Sequence, residues 1–422
     1  MEQIESLIRE HFKKKTHEFI PGITPILTGM AVFDDKEINA IVKSVLKGWF
    51  GLGKQGREFE EQFSKKIERK YSAFVNSGSS ANLLALNAIK HKLNLKQGEI
   101  IIPSCTFPTT LNPIIQLGFT PVFVDVDKTL NLTPEKVYSV INKNTIGILF
   151  GHTLGNPAKI SDISKIAKEN NLFLIEDCCD ALGSKYDDKV CGSFGDVSTF
   201  SFYPAHIMTT GEGGMVSTND SDLNRIVRSL RDWGKSCWCT TDEENLFGAC
   251  KKRFDFKIND KPYDHRYAYS TIGYNLKPLE LQAAMGLEQL LKLDDFIKIR
   301  KRNFKLYQKE FLKFKGYFDL PEISEKADPV FFGLPITINN QSIKRQELLK
   351  FLNHNKIATR LLFGGHIIHQ PAYKDLKYSM AGESTNSDNI LENSFWIGLH
   401  PGITQEMIEY TCLKFKEFIE KL

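Results

Sequence analysis

Short apolar segments alternate with helical stretches from about residue 70, and this alternation constrains the fold more than any other feature. The segments are AFVNS, EIIIPS, TPVFVDVD, IGILFGH, LFLIED, VSTFSF and GMVST, at 73–77, 99–104, 120–127, 146–152, 172–177, 197–202 and 214–218. Strands that recur among helices indicate βαβ units, in which helices cover both faces of a sheet. The pattern therefore predicts an α/β fold with a mostly parallel sheet flanked by helices.

The remaining sequence suggests how this sheet is extended. A long helical stretch follows Leu276, and the tail combines the weaker strand PVFFGLPITI with two helical segments, RQELLKFLNHN and EMIEYTCLKFKEFIE. We expect an N-terminal amphipathic helix and arm over 1–37 and a large α/β domain over 38–290. This domain carries a cysteine-bearing insertion around 235–262, and a small α+β domain covers 291–422.

Charge and hydropathy exclude several classes of protein. The 422 residues include 55 basic and 51 acidic side chains, a net charge of +4, which argues against nucleic acid or an anionic membrane as the main partner. No apolar run approaches the ~20 residues of a membrane-spanning helix. The charged N-terminus MEQIESLIREHFKKK lacks the apolar region of a signal peptide. We therefore expect a cytoplasmic protein that binds neither membranes nor nucleic acid.

Polar residues follow several predicted strands. Asp177 ends LFLIED, and Ser201 lies in the next strand ahead of the turn GEGG. Ligands bind at the carboxyl ends of parallel strands, where a carboxylate can pair with a protonated ring nitrogen of a cofactor. Taken alone, Asp177 is better explained as a helix N-cap, and GEGG as an ordinary hairpin turn.

Two further segments are candidate cofactor contacts. Gly78, Ser79 and Ser80 precede a helical stretch, where backbone N–H groups and hydroxyls can hold a phosphate. A serine N-cap explains them equally well in isolation. Phe107 follows the next strand and could stack on a planar ring, or belong to the core.

In combination, these segments resemble the fold-type-I pyridoxal-phosphate enzymes, and specifically the DegT-like nucleotide-sugar aminotransferases. GWFGLGKQGREFEEQF and GYNLKPLELQAAMG also match, so the resemblance extends from about residue 48 to the C-terminus. It implies a pyridoxal- or pyridoxamine-phosphate (PLP or PMP) cofactor and a nucleotide-sugar substrate. It also implies a homodimer in which Asn275 reaches the cofactor phosphate of the other subunit.

One substitution changes the expected chemistry. The chain has His206 where the family has the lysine that bonds covalently to the cofactor. This resembles the 3-dehydrases of 4-keto-6-deoxy nucleotide sugars, which keep the cofactor as PMP and use histidine as the base, a role that suits the imidazole pKa. Asp180 stands where relatives usually have Gln or His. It is expected to hydrogen-bond the cofactor's 3-hydroxyl, or else to begin a helix.

The cysteines resemble those of the iron–sulfur branch of these 3-dehydrases. The resemblance implies a [2Fe–2S] cluster, which four thiolates can hold, on Cys179, Cys237, Cys239 and Cys250. Cys178 and Cys191 are rival ligands, and zinc is the alternative metal, although C-x-C is not the usual zinc-ribbon spacing. Cys105 and Cys412 are expected to be small buried hydrophobes.

This branch implies C-3 dehydration of CDP-4-keto-6-deoxy-D-glucose, the first step of C-3 deoxygenation in 3,6-dideoxyhexose (O-antigen) biosynthesis. The implied partner is an NAD(P)H-dependent flavin/iron–sulfur reductase, since no G-x-G-x-x-G turn follows the first predicted strands and no nicotinamide site is evident. The alternatives are a cluster-free GDP-4-keto-6-deoxymannose 3-dehydratase of the colitose type, a sugar aminotransferase, and a non-catalytic binding module. The cysteines disfavour the first, His206 the second, and the retained site residues the third.

Overall fold

The computed structural model describes residues 1–14, 18–237 and 252–422. Within them the α-helices are α1 (Glu2–Lys14), α2 (Asp35–Leu46), α3 (Lys54–Lys66), α4 (Gly78–Lys92), α5 (Pro108–Gln116), α6 (Pro134–Ser139), α7 (Ile160–Glu169), α8 (Ser221–Arg231), α9 (Glu280–Phe311), α10 (Arg345–His354), α11 (Thr385–Asn393) and α12 (Gln405–Ile419). The strands are β1 (Tyr71–Val75), β2 (Glu99–Pro103), β3 (Thr120–Val124), β4 (Thr145–Gly151), β5 (Phe173–Asp177), β6 (Lys185–Tyr186), β7 (Lys189–Val190), β8 (Val197–Ser201), β9 (Gly214–Thr218), β10 (Phe256–Ile258), β11 (Lys261–Tyr263), β12 (Phe318–Asp319), β13 (Ala327–Asp328), β14 (Gly333–Ile338), β15 (Thr359–Leu361), β16 (Ser379–Ala381) and β17 (Ser394–Gly398).

Eight of these strands form the main sheet, in the order β1-β9-β8-β5-β4-β2-β3-β16. Only β9 runs against its neighbours, β1 and β8, and the remaining pairs are parallel. All seven apolar segments singled out in the sequence lie in this sheet. The predicted α/β fold with a mostly parallel sheet is therefore confirmed.

Helices cover both faces of the sheet because successive strand residues point to opposite sides. In β2, Ile100 and Ile102 pack with side chains of α4, α5 and α8, whereas Ile101 packs with those of α6 and α7. All three isoleucines are fully buried. The apolar layers on the two faces hold the strands in place. They thereby position the residues that follow the strand ends.

A second, antiparallel sheet of order β12-β14-β17-β15 lies towards the C-terminus. It packs with α10, α12 and the end of α9 in a separate apolar cluster. The 32-residue helix α9 also packs against α2 and α3, so one continuous helix connects both parts and runs through position 290. The division at 290 stays a prediction.

The N-terminal helix α1 has no buried residue. It lies beside α2, where Lys43 pairs with Glu5 and Arg9 with Asp35. The hairpin β10–β11 is also exposed at all six strand positions. Cys239 and Cys250 lie outside the described residues. Among the described helices, we find none with the length and apolar character needed to span a bilayer.

Candidate active site

A cavity of about 1160 Å³ opens where β4, β5 and β8 end. Its walls come from the first turn of α4, the segments after β2 and β8, and the segment following β15. The predicted site residues that line it are Gly78, Ser79, Phe107, Asp177, Cys179, Asp180, Ser201 and His206. Eight positions spread over 129 residues of sequence therefore meet in one cavity, from Gly78 to His206.

Asp177 is held in one orientation at the cavity floor. Its Oδ2 accepts hydrogen bonds of 2.7 Å from both Asn82 Nδ2 and Thr110 Oγ1, and its Oδ1 accepts one from the backbone N–H of Cys179. Thr199 in turn donates to Asn82 Oδ1. Three donors fix the orientation of the carboxyl group, which suits a partner for a protonated ring nitrogen.

Sequence reasoning missed Asn82, Thr110 and Thr199. They come from a helix interior, another helix and a strand, and no spacing in the sequence connects them with Asp177. The one available signal is Asn82, a polar residue in a helix that is otherwise well packed. Asn82 itself is only 1% exposed.

The first turn of α4 faces the cavity with Gly78 and Ser79. Ser77 caps this helix: its side chain accepts from the backbone N–H of Ser80 and lies 3.0 Å from the Ser80 hydroxyl. Ser80 is thus engaged with the cap and does not line the cavity. A Cβ on Gly78 would lie 2.5 Å from the Cβ of Ser201, so only glycine fits. The uncapped N–H groups at this dipole end fit a phosphate.

His206 lies across the cavity, with 14% of its side chain exposed. Its imidazole stacks on Phe332 at 4.9 Å between ring centroids, and Tyr203 contacts its edge. Burial, together with the charge of Arg300, lowers the pKa of His206 to about 4. The ring is therefore neutral at pH 7. Its Nδ1 is buried and has no hydrogen-bond partner, and the partly exposed ring lines the cavity.

Asp180 lies near both Asp177 and His206, and its Oδ1 is 3.5 Å from His206 Nδ1. Burial and the nearby charge of Asp177 raise the pKa of Asp180 to about 8. A carboxyl that is protonated at neutral pH can donate a hydrogen bond. This suits the expected contact with an oxygen on the cofactor ring.

The other predicted contacts are spread around this centre. Phe107 is half exposed on one wall, edge-on to Phe363. Ser201 is buried, and its hydroxyl accepts from the backbone N–H of Tyr203. Asn275 is exposed, lies beside Asp232, and does not line the cavity of its own chain. Its expected role in a second subunit stays a prediction.

The cysteines separate into three environments. Cys179 lines the cavity, where burial and Asp177 raise the pKa of its thiol well above the usual value. Cys237 is partly exposed outside the cavity. Cys178 and Cys191 are fully buried in the apolar core, so neither rival ligand reaches the cavity. Cys105 and Cys412 are buried, as expected.

No group of four cysteine ligands is present among the residues that the structure describes, because Cys239 and Cys250 fall outside 1–14, 18–237 and 252–422. The described part places two of the four predicted ligands, Cys179 and Cys237. The [2Fe–2S] assignment therefore stays a prediction.

Comparison with known proteins agrees with this geometry. The model of the DegT/DnrJ/EryC1/StrS aminotransferase family matches residues 32–416. The chain is 42% identical to the lipopolysaccharide biosynthesis protein RfbH of Salmonella typhimurium, over 99% of this chain and 97% of that protein. It is also 42% identical to a dTDP-4-dehydro-2,6-dideoxy-D-glucose 3-dehydratase of Saccharopolyspora spinosa, over 97% of this chain and 90% of that protein.

A solved structure shows the same fold. The Escherichia coli GDP-4-keto-6-deoxy-D-mannose-3-dehydratase with bound hydrated PLP superposes with a TM-score of 0.83 at 30% identity, over 93% of this chain and 100% of that one. The aminotransferase fold predicted from the sequence is thus confirmed. The chain belongs to the DegT/DnrJ/EryC1/StrS aminotransferase family, and its relatives include nucleotide-sugar 3-dehydratases.

Proposed function

We propose that the protein is a PMP-dependent enzyme that removes the C-3 hydroxyl of CDP-4-keto-6-deoxy-D-glucose. The main support is the base in the cavity: His206 is neutral, and no lysine is among the described residues that line the cavity. An aminotransferase needs a lysine amine to hold and release its cofactor between half-reactions. The two 3-dehydratase relatives act on dTDP- and GDP-linked sugars by their names.

The cavity suits a PLP-type cofactor. Gly78 and Ser79 would bind its phosphate, Phe107 would stack on its ring, and Asp177 would pair with the ring nitrogen. Asp180 would donate to its 3-hydroxyl. When bound, the cofactor supplies an amine that condenses with the C-4 ketone of the sugar and a protonated ring that withdraws electrons.

The protein's own groups then control protons. Asp177, held by three donors, keeps the ring nitrogen protonated. His206 takes up the proton that must leave before the C-3 oxygen departs, and it can return a proton to that oxygen, which leaves as water. The aromatic surfaces of Phe332 and Tyr203 hold the imidazole in place for both transfers.

Conversion of the dehydrated sugar to a 3-deoxy sugar needs two electrons and two protons. We assign electron entry to a [2Fe–2S] cluster on Cys179, Cys237, Cys239 and Cys250. An NAD(P)H-dependent flavin/iron–sulfur reductase would supply the electrons. The position of Cys179 on the cavity wall supports this assignment. The raised pKa of its thiol means that metal binding must displace a proton.

The test uses anaerobically prepared protein loaded with PMP. We expect two iron atoms and acid-labile sulfide per chain. In ¹⁸O-labelled water without reductase, the CDP sugar should acquire label at C-3 without net deoxygenation, and reductase with NADH should then release the 3-deoxy sugar. Faster reaction of the dTDP or GDP sugar would reassign the nucleotide. Iron-free protein that deoxygenates the GDP sugar with glutamate would favour the cluster-free branch.

We also propose a homodimer with shared sites, in which Asn275 serves the partner's cofactor. The exposure of Asn275 outside its own cavity supports this. His206→Asn and Asn275→Ala chains are each expected to be inactive. Subunit exchange between them should restore about a quarter of full activity, because half the dimers would be mixed and each would hold one intact site. Absence of restoration would place Asn275 in its own subunit's site, and full activity of Asn275→Ala alone would place it in no site.

A further inference from the structure

Arg300, in the middle of α9, is a buried guanidinium next to the proposed base. It is 1% exposed. Its Nη1 donates to the carbonyl oxygens of Phe331 and Phe332, at 3.3 and 2.8 Å, and its Nη2 donates to the carbonyl oxygen of His206 at 3.3 Å. One side chain therefore connects the segment that carries His206 with the segment just before β14.

The same hydrogen bonds hold the backbones of two residues whose rings stack on each other. Phe332, whose carbonyl Arg300 binds, stacks its ring on the imidazole of His206, with 22° between the two planes. Trp396 packs on Phe332 from β17, at 5.2 Å between centroids. If Arg300 were removed, the carbonyl oxygens of His206 and of Phe332 would both lose their hydrogen bond to the guanidinium.

The cost of burying this charge argues that it serves more than packing. No carboxylate of the described chain lies within the 4 Å of an ion pair with Arg300, and its Nε has no hydrogen-bond partner. Burying a cation is costly, and an apolar side chain of similar volume would avoid that penalty. Three carbonyl oxygens compensate it here, together with the favourable charge interaction with Asp180. These carbonyls belong to the segments that form the cavity wall.

We propose that Arg300 is a positioning residue for His206, which fixes the imidazole against Phe332 at the cavity wall. The inference rests on the proposed function only in taking His206 as the base. The charge of Arg300 also helps to lower the pKa of His206, which agrees with the contacts. Lysine cannot replace the guanidinium fully, because a single ammonium cannot reach three carbonyls in a planar fork.

The first measurement needs no cofactor. In cofactor-free protein, the rate at which diethyl pyrocarbonate acylates His206 is followed by mass spectrometry. Arg300→Met should raise this rate roughly tenfold, because local opening of the segment exposes the ring, and Arg300→Lys should give an intermediate rate. The matched control is Arg69→Met. Arg69 is also buried and donates to two backbone carbonyls, those of Gly192 and Gly195, but does not contact His206.

Equal acylation of His206 in wild type and Arg300→Met would overturn the proposal, as would an equal rise in Arg69→Met. If Arg300→Met does not fold, Arg300→Lys against wild type decides the same question. In PMP-loaded enzyme, Arg300→Lys should lower kcat roughly tenfold or more with little change in the substrate KM, and a change in KM alone would contradict a positioning role. If wild-type enzyme fails to dehydrate any sugar, the proposed function fails while the acylation result still decides the role of Arg300.

Discussion

The cavity wall and the hairpin β10–β11 differ in how they are held in place. Around the cavity, Asp177 has three hydrogen-bond donors, and the strand ends rest on apolar layers that are fully buried. In the hairpin, all six strand residues are exposed, and nearby side chains such as Phe254 and Ile272 are exposed as well.

Charge contacts replace packing near the hairpin. Asp264 accepts from both Arg253 and Arg266, and this pairing holds the pKa of the carboxyl well below its usual range. A two-stranded hairpin without a buried face is marginal in water. The comparison shows that the cavity residues are held by the core, whereas the exposed hairpin β10–β11 has no buried layer to hold it.

The largest expected effect tests the preorganised side. His206→Asn should keep the cofactor and lower activity by ~100-fold or more, because a general base is removed. His206→Lys should instead bond PLP covalently and lose dehydration. Borohydride reduction followed by mass spectrometry should detect a cofactor adduct in His206→Lys and none in wild type. A covalent lysyl adduct in wild type would contradict the assignment of His206.

The next prediction separates the two regions. Cys179→Ser should remove the visible absorption of the cluster and abolish net deoxygenation, because four thiolates are required. Exchange of the C-3 oxygen with ¹⁸O-labelled water should continue, since it depends on His206. Cys191→Ser is the matched control in the apolar core and should keep its iron. Loss of iron from Cys191→Ser but not from Cys179→Ser would reverse the ligand assignment.

The well-packed region should also show a characteristic loss of stability in acid. His400 is buried, its Nε2 lies 3.1 Å from the carbonyl oxygen of Leu27, and burial lowers its pKa to about 4 from an ordinary 6.5. Below pH 6.5 the unfolded chain takes up a proton that the folded chain refuses. Stability therefore falls as pH falls from about 6.5 to 4, by roughly 3 kcal/mol.

His206 has a similar shift, so His400→Gln should remove about half of the histidine contribution to this slope. Urea unfolding between pH 7 and pH 4.5 measures this slope of stability against pH. An unchanged slope in His400→Gln would show that folding does not lower the pKa of His400.

The smallest effect is expected in the hairpin. Asp264→Asn should speed hydrogen exchange of the β10–β11 amides by weakening the pairing with two arginines, and leave the global Tm unchanged. Asp260→Asn in the hairpin turn is the control and should change neither. A fall in Tm for Asp264→Asn would show that the hairpin is coupled to the core more tightly than its exposure implies.

Much of the main sheet could be predicted from the sequence because its strands are continuous apolar runs. GMVST at 214–218 corresponds to β9 residue for residue. The edge strand β16 was missed, because its three residues are at most partly buried and carry little apolar pattern. Ser80 was grouped with the phosphate turn, but its amide is satisfied by the Ser77 cap, which depends on the dihedral angles of that turn.

The sequence by itself determined the order of strands and helices, the polar residues at the strand ends, and the presence of histidine where relatives have lysine. These are local properties of the chain. Only the tertiary structure decided which groups hold protons: His206 is neutral, and the pKa of Asp180 is raised to about 8. Protonation depends on burial and on charges distant in sequence, such as Arg300, which lies 94 residues from the His206 carbonyl that it binds.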